Sequence, residues 1–397
     1  MTTKTVKIGV IPLIVTLLFS LFSACTPLPT VDEGDTSAQT NDIVAPPPST
    51  NPMAAITAVD LVAQMKIGWN LGNTLDVVDG SRLRASSPSG WETGWGNPVT
   101  TPELFATLYD YGFNVFRIPV SWNDHLMINN DYQIVESWME RVKEVVDYAY
   151  ATGAFVILNT HHESWAQPYY ERQDRASYIL ERVWTQVADV FADYSERLIF
   201  EGLNEPRQIG TPNEWNGGNQ EGWDVVNLFN EVFIETVRQS GGNNPYRVLM
   251  IPSYAANAWE APKHLWLPPD DDKIIVSIHA YEPYDFALRV GGRGEWNEDR
   301  TAIDQIMRQL DELFISRGIP VLLDEFGAMY KPVAGNEEER AAWAAYYVGE
   351  AAKVGIPCLW WDNGAFTGSG ELFGIINRET YEFVYPLVAE ALIKNAR

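Results

Sequence analysis

The chain has 397 residues, enough for two average domains or one large barrel, since α/β barrels run to about 250 residues. Its net charge of −25 excludes the basic patches that grip nucleic acid and offers nothing to an anionic membrane surface, whereas a neutral polymer suits it. The 46% apolar content supports a full core, and 15 Trp, 18 Tyr and 16 Phe supply enough rings to line a groove for flat ligands as well.

In chain order, the N-terminus reads as an export signal over residues 1–24. Lys4 and Lys7 precede an apolar stretch from Ile8 to Phe22, and small residues Ser23 and Ala24 lead to Cys25. A Cys directly after a small-residue cleavage site resembles the bacterial lipoprotein signal, with Cys25 lipidated as the mature N-terminus; a plain cleaved signal or a retained anchor are the alternatives. Residues 25–52, with Pro46-Pro47-Pro48 and no apolar periodicity, read as an extended disordered linker. The only other cysteine, Cys358, lies in an apolar run, so no disulfide framework is expected.

From residue 53 to 397, strand and helix patterns alternate. Apolar strand candidates fall at Lys66–Leu71, Asn114–Pro119, Phe155–Asn159, Leu198–Leu203, Arg247–Ile251, Ile274–His279, Pro320–Asp324 and Ile356–Trp361. Amphipathic helices are expected at Pro102–Tyr111, Val135–Ala151, Tyr178–Tyr194, Trp223–Gln239, Thr301–Arg317, Glu337–Lys353 and Thr380–Lys394. The segment Ala256–Leu267, interrupted by prolines, is the weakest helix candidate. Eight strands with intervening helices predict an α/β fold, a single (β/α)8 TIM barrel.

Polar residues gather where these strands end, the rim on which barrel enzymes carry their chemistry. Arg117-Ile118-Pro119 ends the second strand, Asn159-Thr160-His161-His162-Glu163 the third and Asn204-Glu205-Pro206 follows the fourth. His279-Ala280-Tyr281, Asp324-Glu325-Phe326-Gly327 and Trp360-Trp361-Asp362-Asn363 end the last three. Glu205 and Glu325 would face each other across the mouth. Hydrolysing a glycosidic bond with retention needs such a pair, a proton donor and a nucleophile about 5–5.5 Å apart. Arg117 is a candidate to hold Glu325 ionised. Two His beside a Glu suggest metal, but His161-His162-Glu163 lacks the helical spacing of a zinc site. Strand alternation would turn only one of His161 and His162 inward, with His161 favoured, and would send Trp360 to the core and Trp361 to the groove. Trp122, Trp165 and Trp215 lie in loops where packing and sugar stacking are equally open.

Together with Gly68-Trp69-Asn70-Leu71-Gly72-Asn73-Thr74-Leu75-Asp76, these motifs resemble glycoside hydrolase family 5, and within it the endoglucanase and xyloglucanase branch, subfamily 4. The resemblance runs from about Gln64 to Ala396. It implies Glu205 as acid/base, Glu325 as nucleophile, Arg117 and Tyr281 supporting the nucleophile, and Asn204 contacting a sugar hydroxyl. It further implies a polar ring of His161, His162 and His279, Trp361 as a stacking floor and Asn73 as a sugar contact. The expected activity is endo-hydrolysis of β-1,4-glucan, with no cofactor and no metal required and a monomer sufficient. The β-glucan polysaccharide is then the partner, nucleic acid is not, and the membrane is met only through the lipid anchor at an outer membrane or cell surface, if the protein is not freely secreted. Xyloglucan, mixed-linkage glucan, mannan and xylan are alternative substrates, and a non-catalytic carbohydrate-binding barrel is the alternative of another class.

Overall fold

The computed structural model describes residues 51–78 and 87–396; Cys25, the export signal and the linker up to residue 50 lie outside the described residues, while the linker's expected end at 52 is corrected, since Asn51 caps a 3-10 turn over Pro52–Ala55. Eight parallel strands close into a barrel: β1 (Ile67–Leu71), β2 (Val115–Ile118), β3 (Phe155–Asn159), β4 (Leu198–Glu201), β5 (Leu249–Asn257), β6 (Ile274–His279), β7 (Val321–Phe326) and β8 (Cys358–Asp362). Each pairs with its neighbours in sequence, and β8 returns to β1 with Ile67 opposite Cys358. The fold is thus the (β/α)8 barrel that the strand count predicts.

Alternation along the strands separates two apolar layers. Val115, Ile157, Ile199, Met250, Ile275, Leu322 and Leu359 point inward and form the barrel's own core. Phe116, Val156, Phe200, Ile251, Val276, Leu323 and Trp360 point outward beneath the helices. The lower end of the barrel is stoppered by a short helix, Ala58–Val62, which puts Ala58, Leu61 and Val62 on the inner core. Thr57 starts that helix with a capping box: its hydroxyl accepts the Asp60 N–H, and the Asp60 carboxylate accepts the Thr57 N–H.

The covering helices are α1 (Pro102–Tyr111), α2 (Glu136–Ala151), α3 (Gln173–Val190), α4 (Gln220–Gln239), α5 (Thr301–Leu313), α6 (Asn336–Val354) and α7 (Pro386–Asn395). Four expectations need correction, and the first is the helix expected over Tyr178–Tyr194, which lies earlier, at Gln173–Val190. The helix expected from Thr380 begins only at Pro386, which sits in its first turn, while the preceding residues form a bridge between Ile376 and Phe383. The helix expected over Ala256–Leu267 shrinks to a 3-10 turn, Ala261–His264, because β5 runs on to Asn257 through an irregularity past Pro252. Residues 315–317 leave α5 and form a separate 3-10 turn that ends at Gly318.

The most consequential irregularity is in β7. Ile278 pairs with Leu323 but His279 pairs with Glu325, and on the other side Cys358 pairs with Leu323 but Trp360 with Phe326. Both neighbours therefore register one extra residue, a β-bulge. Leu322 and Asp324 keep the inward phase, Phe326 returns outward, and the extra residue lets Glu325 join Asp324 inside.

Gly68 occupies an inward position in β1 where no side chain fits: a Cβ would lie 2.3 Å from Leu359 Cγ and 2.9 Å from the Val115 carbonyl oxygen. Gly68→Ala should therefore destabilise the barrel by about 1–3 kcal/mol. Calorimetry should show a melting temperature lower by several degrees, and an unchanged one would contradict this packing.

Candidate active site

The inward strand positions that apolar side chains fill at the bottom of the barrel are taken by polar groups at the top. Asn70, Arg117, Asn159, Glu201, Ser277 and Asp324 are all fully buried. At their centre lies Arg117. Its Nε and Nη2 donate to the two oxygens of Glu201 at 2.6 and 2.7 Å. Nη1 donates to Glu325 Oε1 at 2.6 Å and Asn70 Oδ1 at 3.0 Å, and Nη2 also donates to Asn204 Oδ1 at 2.7 Å. All five guanidinium N–H groups thus have an acceptor. Burial opposes its charge, but Glu201, Glu325 and Asp324 hold its pKa well above the ordinary value.

Glu325 is fixed at both oxygens, Oε1 by Arg117 and Oε2 by the Tyr281 hydroxyl at 3.0 Å. Burial raises its pKa, against the pull of His279 and Arg117. Glu205 follows β4 in a loop anchored by the Asn204 N–H on the Thr160 carbonyl. Its Oε1 meets His279 Nδ1 at 2.8 Å and its Oε2 meets Arg207 Nη1 at 3.4 Å. Burial pushes Glu205 upward, but the hydrogen bond and charge of His279 overcome it and leave its pKa below the ordinary glutamate value. A carboxylate oxygen of Glu205, one of Glu325 and a ring nitrogen of His279 lie within 4.8 Å of one another.

The structure places Trp361 on the rim, its indole parallel to the His161 ring at 4° with centroids 5.7 Å apart, while Trp360 packs outward against Phe326 and Trp343. The Trp361 edge lies over Gly72, where a Cβ would come within 2.8 Å of the ring. Asn73 sits on the turn after β1 in a left-handed conformation, its N–H on Asp76 and its carbonyl on Asn97. The expectation that only one of His161 and His162 faces the groove is corrected: β3 ends at Asn159, so alternation no longer governs them, and both line the cleft. Of the loop tryptophans, Trp122 is fully buried with its indole N–H on the Asn159 carbonyl, and Trp165 packs half-buried on the core. Trp215 is 57% exposed, with Arg207 4.1 Å above its ring.

Several site residues carried no individual signal in the sequence. Glu201, Asp324 and Asn70 sit inside the strand motifs, but their partners become visible only when the barrel closes. Trp95, from the long β1–α1 connection, faces His162 and lines a cleft of about 530 Å³ with Glu205, Asn204 and Ile209. Glu163 is buried in the wall of this cleft, with Oε1 accepting the Trp122 N–H at 2.6 Å and Oε2 without a hydrogen-bond partner.

Asp76, His161 and His162 also approach within 4.8 Å, a donor set that invites a cation. The hydrogen bonds argue otherwise. Asn159 Oδ1 accepts the Val120 N–H, so its amide nitrogen donates to His161 Nδ1 at 3.2 Å. That contact uses the single lone pair of the neutral His161 ring, which burial keeps neutral by driving its pKa well down. The residues do not fit a metal there.

Two facing carboxylates on this rim, each held by hydrogen bonds, are the equipment of a barrel glycosidase. Residues 79–367 match the cellulase family, glycosyl hydrolase family 5. Endoglucanase B of Neocallimastix patriciarum is 48% identical over 349 residues, 86% of this chain and 72% of that protein. A subfamily 4 broad-specificity endoglucanase from Ruminococcus champanellensis, solved with bound cellotriose, superposes with a TM-score of 0.83 at 43% identity, covering 86% of this chain and 100% of that one. A xyloglucan-specific endo-β-1,4-glucanase from a metagenomic library, in complex with cellotriose, gives 0.80 at 39% identity over 85% of this chain and 98% of that chain. The chain belongs to glycosyl hydrolase family 5.

Burial raises the pKa of Glu163 from 4.5 to about 8, so the fold prefers the neutral acid. The stability this preference gives is complete below pH 4.5 and is lost as pH rises toward 8. Glu163→Gln has no such loss. Its melting temperature relative to wild type should climb across that window, by the equivalent of about 1.4 kcal/mol per pH unit at most, and a flat difference would contradict a buried neutral carboxyl.

Proposed function

We propose that the protein is an endo-acting β-1,4-glucanase that cleaves with retention of configuration, with Glu325 as nucleophile and Glu205 as acid/base. The observation that carries this is that Glu205 and Glu325 meet the same His279 Nδ1, at 2.8 and 3.4 Å, a close pairing that suits the roughly 5–5.5 Å separation of retaining carboxyls rather than the wider spacing of inverting ones. Glu325, held at both oxygens, attacks the anomeric carbon. The bond to the glycosidic oxygen breaks as Glu205 protonates it, and a glycosyl-enzyme forms. Glu205 then takes a proton from water, whose oxygen attacks the same carbon and frees Glu325. Asn204, itself held by Arg117, is placed to meet a sugar hydroxyl beside the nucleophile. The parallel Trp361 and His161 rings offer a flat floor for a pyranose face.

The second substrate for the same chemistry is xyloglucan. The cleft beside Glu205, walled by Trp95, His162 and Ile209, leaves room for a branched chain, and the metagenomic relative is named for that substrate. Export with a lipid anchor at Cys25 is supported by the Lys4 to Cys25 pattern. Cys25→Ser should shift the protein from the membrane fraction to the soluble one, and an unchanged distribution would remove the anchor.

Proton NMR of the products should show the β-anomer first, and α-anomer first would overturn the retaining mechanism. Glu325→Gln should abolish turnover of carboxymethylcellulose in a protein that still folds and melts cooperatively, and retained turnover would remove Glu325 from the nucleophile role. Glu205→Ala should slow that polymer about 10²–10⁴-fold, yet slow glycosyl-enzyme formation far less on an aryl cellobioside whose leaving group needs no proton. Equal losses on both substrates would remove Glu205 from the acid role.

A further inference from the structure

The loop that joins β4 to α4 carries Glu205 near its start and an exposed indole, Trp215, further on. Trp215 is more exposed than any other tryptophan among the described residues. A large apolar ring left in water lacks the burial that ordinarily positions it, and a slack loop would carry it loosely. This loop is not slack. The Tyr254 hydroxyl accepts the Gln208 N–H at 2.8 Å and donates to the Asn213 carbonyl at 3.1 Å. The buried Gln208 side chain donates to the Pro168 carbonyl and to Glu221, and it accepts from Asn219. The backbone beneath Trp215 is therefore braced, although it forms no helix or strand.

Arg207 fixes the ring itself. Its guanidinium lies 4.1 Å from the centre of the Trp215 ring, and its Nε donates to Glu214 Oε1 at 3.3 Å. The other oxygen of Glu214 accepts the Gly210 N–H at 2.8 Å. Arg207 Nη1 donates to the Glu205 carbonyl at 3.0 Å and lies 3.4 Å from Glu205 Oε2. One cation thus joins an exposed aromatic ring to both the peptide and the carboxylate of Glu205. A partly exposed Arg–Glu pair adds little stability, so stability alone gives no reason for the arrangement. With Arg207 on one face, Trp215 offers the other to solvent, and a flat ring held beside a groove is a surface on which a pyranose stacks.

We propose that Trp215 is the platform for the departing sugar and that Arg207, a positioning residue, ties this platform to Glu205, so that a sugar stacked on the indole brings its glycosidic oxygen to the acid. This rests on Glu205 being the acid. The side follows from the two oxygens of Glu205. Oε1 meets His279, which also meets Glu325, so it belongs to the nucleophile's side, whereas Oε2 is the oxygen on Arg207. The sugar under attack sits at Glu325, and the sugar that leaves with the glycosidic oxygen lies past the acid, on the Arg207 side. Stacking energy gained there is used at the bond being cleaved, and Arg207 matters most when a sugar occupies the platform.

Two substrates with the same glycone test this in the full chain. Cellotetraose cleaved at its central bond releases cellobiose, whereas β-cellobiosyl fluoride releases only fluoride, which has no face to stack. In Trp215→Ala the ratio of kcat/KM on cellotetraose to that on the fluoride should fall about 10–100-fold, and Trp215→Phe should recover part of it. Arg207→Met, which keeps the stem but removes the planar cation, should lower the same ratio; Arg207→Lys, which keeps only the charge, takes its place if that variant does not fold. Because ring and cation act as one unit, the double variant should lose less than the product of the two single losses. An unchanged ratio in Trp215→Ala, a change confined to an exposed side chain, would overturn the platform. Losses that multiply in the double variant would overturn the link through Arg207. Failure of the acid assignment looks different: Glu205→Ala would slow glycosyl-enzyme formation equally from both substrates, while the ratio in Trp215→Ala still fell.

Discussion

Everything at the mouth of this barrel depends on one buried guanidinium. Arg117 reaches Asn70 from β1, Glu201 at the end of β4, Asn204 just beyond it and Glu325 from β7. Three segments far apart in the chain are thereby fixed to β2 with hydrogen-bond precision. Removing one partner of a buried ion pair costs about 3–5 kcal/mol, because the other charge is stranded, so the site is stable only when complete. The bidentate pair with Glu201 fixes the guanidinium plane, and that plane decides where Glu325 and Asn204 point.

The architecture was legible because barrel strands are short apolar runs and their helices carry a separate amphipathic stripe. Phe155–Asn159 and Ile274–His279 have the expected bounds in the structure. Misplaced ends have local causes, such as Pro386 restarting the last helix or β5 continuing past Ile251. The rim was legible too, since Arg117, His279 and Glu325 stand at strand ends and Glu205 in the loop just past one. Their partners were not. Glu201 and Asp324 look in sequence like any acid near a strand end, and their use depends on which residues the closed barrel brings within 3 Å. Strand alternation would let only one of Asp324 and Glu325 point inward, and no residue there announces the bulge that admits both. The same rule failed for His161 and His162, which lie one step beyond the strand that would have governed them.

Aromatic residues illustrate a similar divide. A loop position says little about whether a Trp is packed or presented. Trp122 is wholly buried because its indole N–H finds the Asn159 carbonyl, and Trp215 stands out in solvent under Arg207. Only Trp361 could be placed from its neighbour, since adjacent strand residues point opposite ways and Trp360 belongs to the layer beneath the helices.

The contact between Trp361 and Gly72 bears on how such a scaffold can diversify. Because the indole edge leaves no room for even a methyl group on the residue that follows β1, the position of Trp361 is set by the barrel itself. Drift in β1 or β8 would tilt it and spoil every substrate at once. The rim segments that carry Trp95, Ile209 and Trp215 are under no such constraint: they line or flank the cleft from loops, where length and side chains can change without disturbing the barrel beneath.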